Sequence, residues 1–172
     1  MIKFCTVFSV ILFIVLFRAP NLLSQNVAAP IAIQPVPSVP CEGSTSEELT
    51  KLAWEALSDN AAKALSCSYK TISRWHTQAD QQQLAATASG CTQPRAENIK
   101  EYFRSYWALS DVATCLFIQA EALKKQDKMS EACEAYKTIT NRYSCAFTWD
   151  SRGWFWKTAD GAREKLSSIG CR

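Results

Sequence analysis

Residues 112–143 read VATCLFIQAEALKKQDKMSEACEAYKTITNRY. Val112, Ala113, Leu116, Phe117, Ala120 and Leu123 recur at the spacing that gathers side chains on one face of a helix. Ala132, Ala135, Tyr136, Ile139 and Tyr143 do the same further on. Between the two runs, Gln126-Asp127-Lys128 breaks the apolar period, and Lys124 and Lys125 stand where a helix dipole favours cations. Ser110 and Asp111 precede the first run and suit a helix N-terminus. The stretch therefore reads as two antiparallel helices joined by a tight turn. Ala120 and Ala132 are the small residues that let the pair approach, with Leu116, Leu123 and Tyr136 filling the seam around them.

The same reading extends outward. Ser44-Thr45-Ser46 followed by Glu47-Glu48 predicts a helix start, hydroxyl caps before acids in the first turn. Leu49, Leu52, Ala53, Ala56 and Leu57 then share a face. After Ser58-Asp59-Asn60, a second helix begins at Ala61, turns Ala64, Leu65, Tyr69, Ile72 and Trp75 inward, and continues into Gln81-Gln82-Gln83 and Leu84. Ser89 to Arg95 is a loop, Ser144 to Gly153 is irregular, and a last helix is expected from Trp154 to Ser168. No stretch sustains alternation of period two, so the expected fold class is all-α.

Tyr69-Lys70-Thr71-Ile72 recurs as Tyr136-Lys137-Thr138-Ile139, 67 residues later. That is about two periods of a 34-residue helix–turn–helix repeat. With Ala120 and Ala132 at its small positions, residues 112–143 resemble a tetratricopeptide repeat, and 47–72 resemble it more loosely. Gln119 departs from the pattern at an apolar position, and Ser144 stands where a proline is usual. The stretches Tyr106 to Cys115 and Trp149 to Lys157 are similar to those of small exported bacterial tetratricopeptide-like proteins. The resemblance implies antiparallel hairpins stacked as a short right-handed superhelix, closed by a C-terminal capping helix. It also implies a scaffold that binds a protein or peptide in its concave face.

The 172 residues are 48% hydrophobic and 20% charged, which fits one globular domain behind a leader. Lys3, an apolar run from Phe4 to Phe17 and Arg18 read as a signal peptide or an uncleaved signal anchor over residues 1–27. Export to the periplasm or beyond follows, with a membrane tether as the alternative. Residues 28–41 form a Pro-rich, uncharged linker of extended character, and 42–172 form the helical domain. The net charge of +3 gives no support to nucleic-acid binding.

Candidate chemistry is thin. His76, the only histidine, shares a helix face with Asp80, but no nucleophile is recognisable beside them. One His with scattered Cys has no metal-ligand spacing, and no Gly-rich phosphate loop is present, so no cofactor is expected. The pairs Glu97/Glu101 and Glu131/Glu134 read as charge decoration of exposed helices rather than facing catalytic carboxylates. The protein is read as a non-enzyme.

Beyond Cys5 in the leader, seven cysteines allow up to three disulfides in an oxidising compartment. Cys41, Cys91 and Cys171 are the expected cross-linkers, whereas Cys67, Cys115 and Cys133 read as small core residues. The pairing stays open. Phe147, Trp149, Trp154, Phe155 and Trp156 form an aromatic cluster that suits a cap over the last apolar face of a repeat stack. On a helix Trp154 and Trp156 point apart, so one of them is expected to be exposed.

By the resemblance, polar residues on the first helix of each pair contact the ligand. These are Thr114, Gln119 and Glu121, with Arg104 and Tyr106 upstream and Trp154 or Trp156 on the cap. Gln119 is the sharpest choice, since a polar group on an apolar face needs a partner or a solvated groove. Two functional expectations result. The first is an exported, non-catalytic protein-interaction module. The second, drawn from relatives bearing names such as β-glucanase precursor, is a protein that binds or processes β-glucan or other cell-wall carbohydrate.

Overall fold

The computed structural model describes residues 39–150 and 153–171. The expected signal segment and linker residues 28–38 lie outside the described residues. The described chain runs α1 (Ser46–Ala56), α2 (Ala61–Ala88), α3 (Ile99–Lys124), α4 (Met129–Arg142), β1 (Phe147–Asp150), β2 (Trp154–Lys157) and α5 (Thr158–Ser168). The fold is mostly helical, with one small antiparallel two-stranded sheet that the all-α expectation lacked.

α1 starts where its caps predict. The Thr45 hydroxyl accepts from the Glu48 N–H, and the Glu48 carboxylate accepts from the Thr45 N–H, a reciprocal capping box. Leu49, Ala53 and Ala56 are buried along one face. The Asn60 side chain caps α2 by accepting from the Lys63 N–H at 2.9 Å. α2 ends at Gly90, whose φ of 75° only glycine adopts without cost. Gly90 N–H donates to Thr87 O and Cys91 N–H to Ala86 O, the paired bonds of a Schellman motif. α5 closes in the same way around Gly170, with Cys171 next in the chain.

α3 begins eleven residues before the Ser110-Asp111 start that the sequence implied, and it is broken. Tyr106 has φ −128° and ψ 26°, so a short arm, 99–105, meets the longer segment after it at a kink. The second segment has its own N-terminus, and its early N–H groups lack helical acceptors. Buried Gln82 of α2 reaches across and accepts from the Leu109 N–H at 2.8 Å. The next residue of α2, Gln83, accepts from the Cys145 N–H at 3.0 Å.

α2 and α3 pack along most of their length, with α1 against both, α4 on α3 and α5 on α4. Leu49, Leu109, Val112, Ile118, Tyr136, Ile139 and Tyr143 are among the largest fully buried side chains. Ala120 and Ala132 are also fully buried.

The expected helix start at Trp154 is replaced by strand. Gly153 turns the chain with φ 102°, and Trp154-Phe155-Trp156 pairs with β1, so that Trp149 faces Phe155 and Thr148 faces Trp156. Alternation splits the hairpin into two faces. Phe147, Trp149 and Phe155 share the face toward the α3 arm, where Phe147 and Phe155 meet Tyr102. Thr148 and Trp156 share the other face, where Trp156 meets Phe117 with ring centroids 5.1 Å apart. Trp154 and Trp156 therefore lie on the same side of a strand. Trp156 is half-buried on α3, whereas Trp154, next to the turn, is 44% exposed.

Three disulfides brace the described residues: Cys41–Cys67, Cys91–Cys145 and Cys133–Cys171. Cys41, Cys91 and Cys171 are all cross-linked, as expected. Cys67 and Cys133 are corrected from core fillers to disulfide partners. Cys115 remains a buried free thiol. Three disulfides fit an oxidising environment. Among the described residues no helix is long and apolar enough to cross a membrane.

Candidate functional site

The expected ligand-contacting residues divide into two groups. Those on the second segment of α3 are engaged inside the protein. Gln119 is buried, with its side chain beside the Tyr69 phenol of α2, so it is packed between helices and does not line an open groove. Thr114 is buried too: its hydroxyl donates to Ser110 O at 2.7 Å and lies 2.8 Å from the Thr148 hydroxyl. Thr148 in turn lies 2.7 Å from the Thr158 hydroxyl, and this chain of hydroxyls ties α3 to the hairpin and to α5. Glu121 accepts from the Tyr136 hydroxyl and pairs with Lys124 at 3.2 Å and Lys165 at 3.4 Å. Burial pushes its carboxyl up, but Tyr136 and the lysines outweigh that and hold it below the usual range. These three residues hold helices together.

Arg104 and Tyr106 belong to a different place. The arm of α3, the end of α2, the loop between them and Cys145 enclose an open cleft of about 200 Å³. Ala86 and Ser89 of the α2 end form one side with Cys91 and Thr92. Asn98, Glu101, Tyr102, Ser105 and Tyr106 form the other, and Cys145 completes the lining. The Cys91–Cys145 disulfide joins the loop to the segment before β1 and so fixes the two sides relative to each other. The break at Tyr106 tilts the arm that carries the aromatic side.

The cleft continues into an aromatic surface. Tyr106 meets Tyr102 at 5.1 Å, Tyr102 meets Phe155 at 6.3 Å, and Phe155 meets Trp149 at 4.9 Å. Trp149 is 47% exposed, and Trp154 is exposed on the same hairpin. Ring contacts thus run from the cleft to the solvent-facing Trp149. Tyr102 anchors the chain: its hydroxyl accepts from the Phe147 N–H, and burial raises its phenol above the ordinary value. Glu101 accepts from Arg104 at 2.7 Å and from Ser105 at 3.3 Å, with the Glu101 and Arg104 side chains largely exposed.

Other titratable groups are structural. Asp80 receives a two-pronged bond from Arg142, at 2.6 and 2.7 Å, while His76 Nδ1 lies 3.2 Å from Ile72 O, so a His–Asp dyad is not assembled. Glu134 pairs with Lys137. At the α1–α3 contact, the Ser46 hydroxyl donates to Asp111, and burial pushes that carboxyl up to about 6. Cys115 lies nearby, 3.3 Å from the Thr50 hydroxyl, and burial raises its thiol to about 12. No group of side chains among the described residues is arranged to hold a metal ion.

The sequence reading did not assemble the cleft, because its lining comes from three separate stretches. The available signal was Gly90-Cys91, a helix-ending glycine followed at once by a cysteine. No family model, curated protein or solved structure matches the chain.

Proposed function

We propose that the chain is an exported, non-catalytic protein-interaction module of tetratricopeptide-like helical hairpins. In this reading its recognition surface is the cleft beside the α3 break together with the aromatic hairpin. The observation that carries it is the continuity of Tyr106, Tyr102, Phe155 and Trp149 from a disulfide-braced cleft to an exposed tryptophan. Exposed aromatics beside a recess are the usual anchors of protein interfaces. The three disulfides and the basic, apolar N-terminal segment support export. The concave-face residues Thr114, Gln119 and Glu121 leave the proposed surface, while Arg104, Tyr106 and Trp154 stay in it.

The second reading, binding of cell-wall glycan, is favoured by one observation. Trp149 and Trp154 are both exposed on one short hairpin, as rings that stack on sugars would be. A photo-crosslinker placed at Trp149 separates the two. Capture of a defined envelope protein, lost in Tyr106→Ala, supports the first reading. Retardation of the chain in a β-glucan gel, lost in Trp149→Ala, replaces it with the second.

A further inference from the structure

We propose that the cleft is an anchor pocket for a basic side chain, a lysine or arginine presented by the partner protein. This rests on the protein-binding reading above and names the chemistry its partner must carry. At about 200 Å³ the recess is smaller than the roughly 300 Å³ at which ordinary ligand pockets begin, so it suits one side chain rather than a cofactor.

Its polarity sets the kind of side chain. A hydroxyl has one proton to give. Ser89 spends its proton on Ala85 O at 3.0 Å, Thr92 on Ser89 O at 3.0 Å and Ser105 on Glu101 at 3.3 Å. What these groups have left for a ligand is lone pairs. Asn98 uses its amide oxygen on the Arg95 N–H at 2.6 Å and keeps its amide donors. Glu101 is the only charged residue of the lining. Tyr102 and Tyr106 add aromatic rings, which attract a cation through their quadrupoles. A lone-pair-rich recess with aromatic rings and a single carboxylate complements a donor-rich cation. A neutral alkyl group would waste the lone pairs, and a carboxylate would meet Glu101.

Arg104 places its own guanidinium 2.7 Å from Glu101, supplying from the same helix the charge that a partner would bring. Both side chains are largely exposed, so the pair is weak and exchangeable. Arg104 is thus an internal competitor. Removing it should strengthen binding, the opposite of what a residue that directly grips the ligand would do.

The test is a backbone-amide NMR titration of the oxidised full chain with three probes: the N-acetyl amides of lysine, arginine and norleucine. The lysine and arginine probes should shift Ser89, Thr92 and Ser105, and norleucine should not. Glu101→Gln, which keeps an acceptor for Ser105, should weaken both about five- to ten-fold. Arg104→Ala should tighten them about two- to five-fold. No shift with the basic probes, equal shifts with norleucine, or unchanged binding in Glu101→Gln each overturn the proposal. A partner protein crosslinked equally by wild type and Glu101→Gln overturns the basic anchor and leaves the protein-binding reading standing. Methyl glucoside displacing the lysine probe overturns both.

Discussion

Replacing Asp111 with Asn should stabilise the protein at neutral pH and flatten its stability profile below pH 7. The carboxyl sits at the α1–α3 contact, where burial raises its pKa from 3.8 to about 6. Ser46 opposes the rise by donating to it, and nearby Glu47 adds to it. An acid with a raised folded-state pKa binds its proton more tightly folded than unfolded. The folded state is therefore favoured while Asp111 is protonated and loses that advantage as pH climbs from about 4 to about 6. A gap of roughly two pH units at ~1.36 kcal/mol each gives about 3 kcal/mol lost across that window. Asn keeps an acceptor for the Ser46 hydroxyl and carries no charge to desolvate. Calorimetric melting of the oxidised protein from pH 4 to 7.5 reads the effect. Wild type should lose several degrees of Tm over the window, and Asp111→Asn should lose less and melt higher at pH 7.5. Parallel profiles, or a variant less stable than wild type at pH 7.5, would refute the reasoning.

Three further perturbations test other parts of the structure. The double change Cys133→Ser/Cys171→Ser removes a crosslink closing 38 residues and should cost about 4 kcal/mol, with hydrogen exchange in α5 accelerating before that in α2. Gly161→Ala puts a Cβ 2.6 Å from the Trp156 ring; it should cost about 1–3 kcal/mol and alter tryptophan fluorescence, and an unchanged spectrum would mean that the ring is not seated there. Gln82→Ala strands the buried Leu109 N–H and should cost about 1–3 kcal/mol in denaturant melts, whereas a neutral result would mean that water caps the second segment of α3 as well as Gln82 does.

Helices with local signals were legible in the sequence. α1 carries its capping box within five residues, and α2 and α4 carry apolar faces bounded by Asn60 and by the 126–128 turn. What escaped was decided by distant partners. Ser110-Asp111 resembles a cap, yet the true break is at Tyr106, marked by neither glycine nor proline and stabilised from α2 by Gln82. The Gln81-Gln82-Gln83 run carries no apolar signal, but two of its members accept from backbone N–H groups elsewhere in the chain, at Leu109 and Cys145. Gln119 breaks an apolar pattern and so invites a groove, yet it is buried, beside a residue, Tyr69, that is fifty positions away in sequence. The hairpin strands have four residues each, too few for period-two alternation to emerge. Of the proposed surface, Arg104, Tyr106 and Trp154 stand out in the sequence, while Ser89, Thr92, Asn98 and Ser105 have nothing local to distinguish them.

The disulfides have a consequence for how the chain survives cleavage. Cys91–Cys145 and Cys133–Cys171 interleave along the sequence, and Cys41–Cys67 stands apart. A single peptide-bond cut anywhere from Cys91 to Cys171 therefore leaves both fragments held by at least one sulfur bridge, and so does a cut from Cys41 to Cys67. The turn after α1, the loop from Cys91 to α3, the α3–α4 turn and the hairpin fall within those protected stretches. Between the disulfide-spanned stretches, the interval from Cys67 to Cys91 is almost entirely the interior of α2, where helical hydrogen bonding keeps the backbone from adopting the extended form a protease needs. A hydrolase attacking the exposed turns would nick this molecule without dividing it.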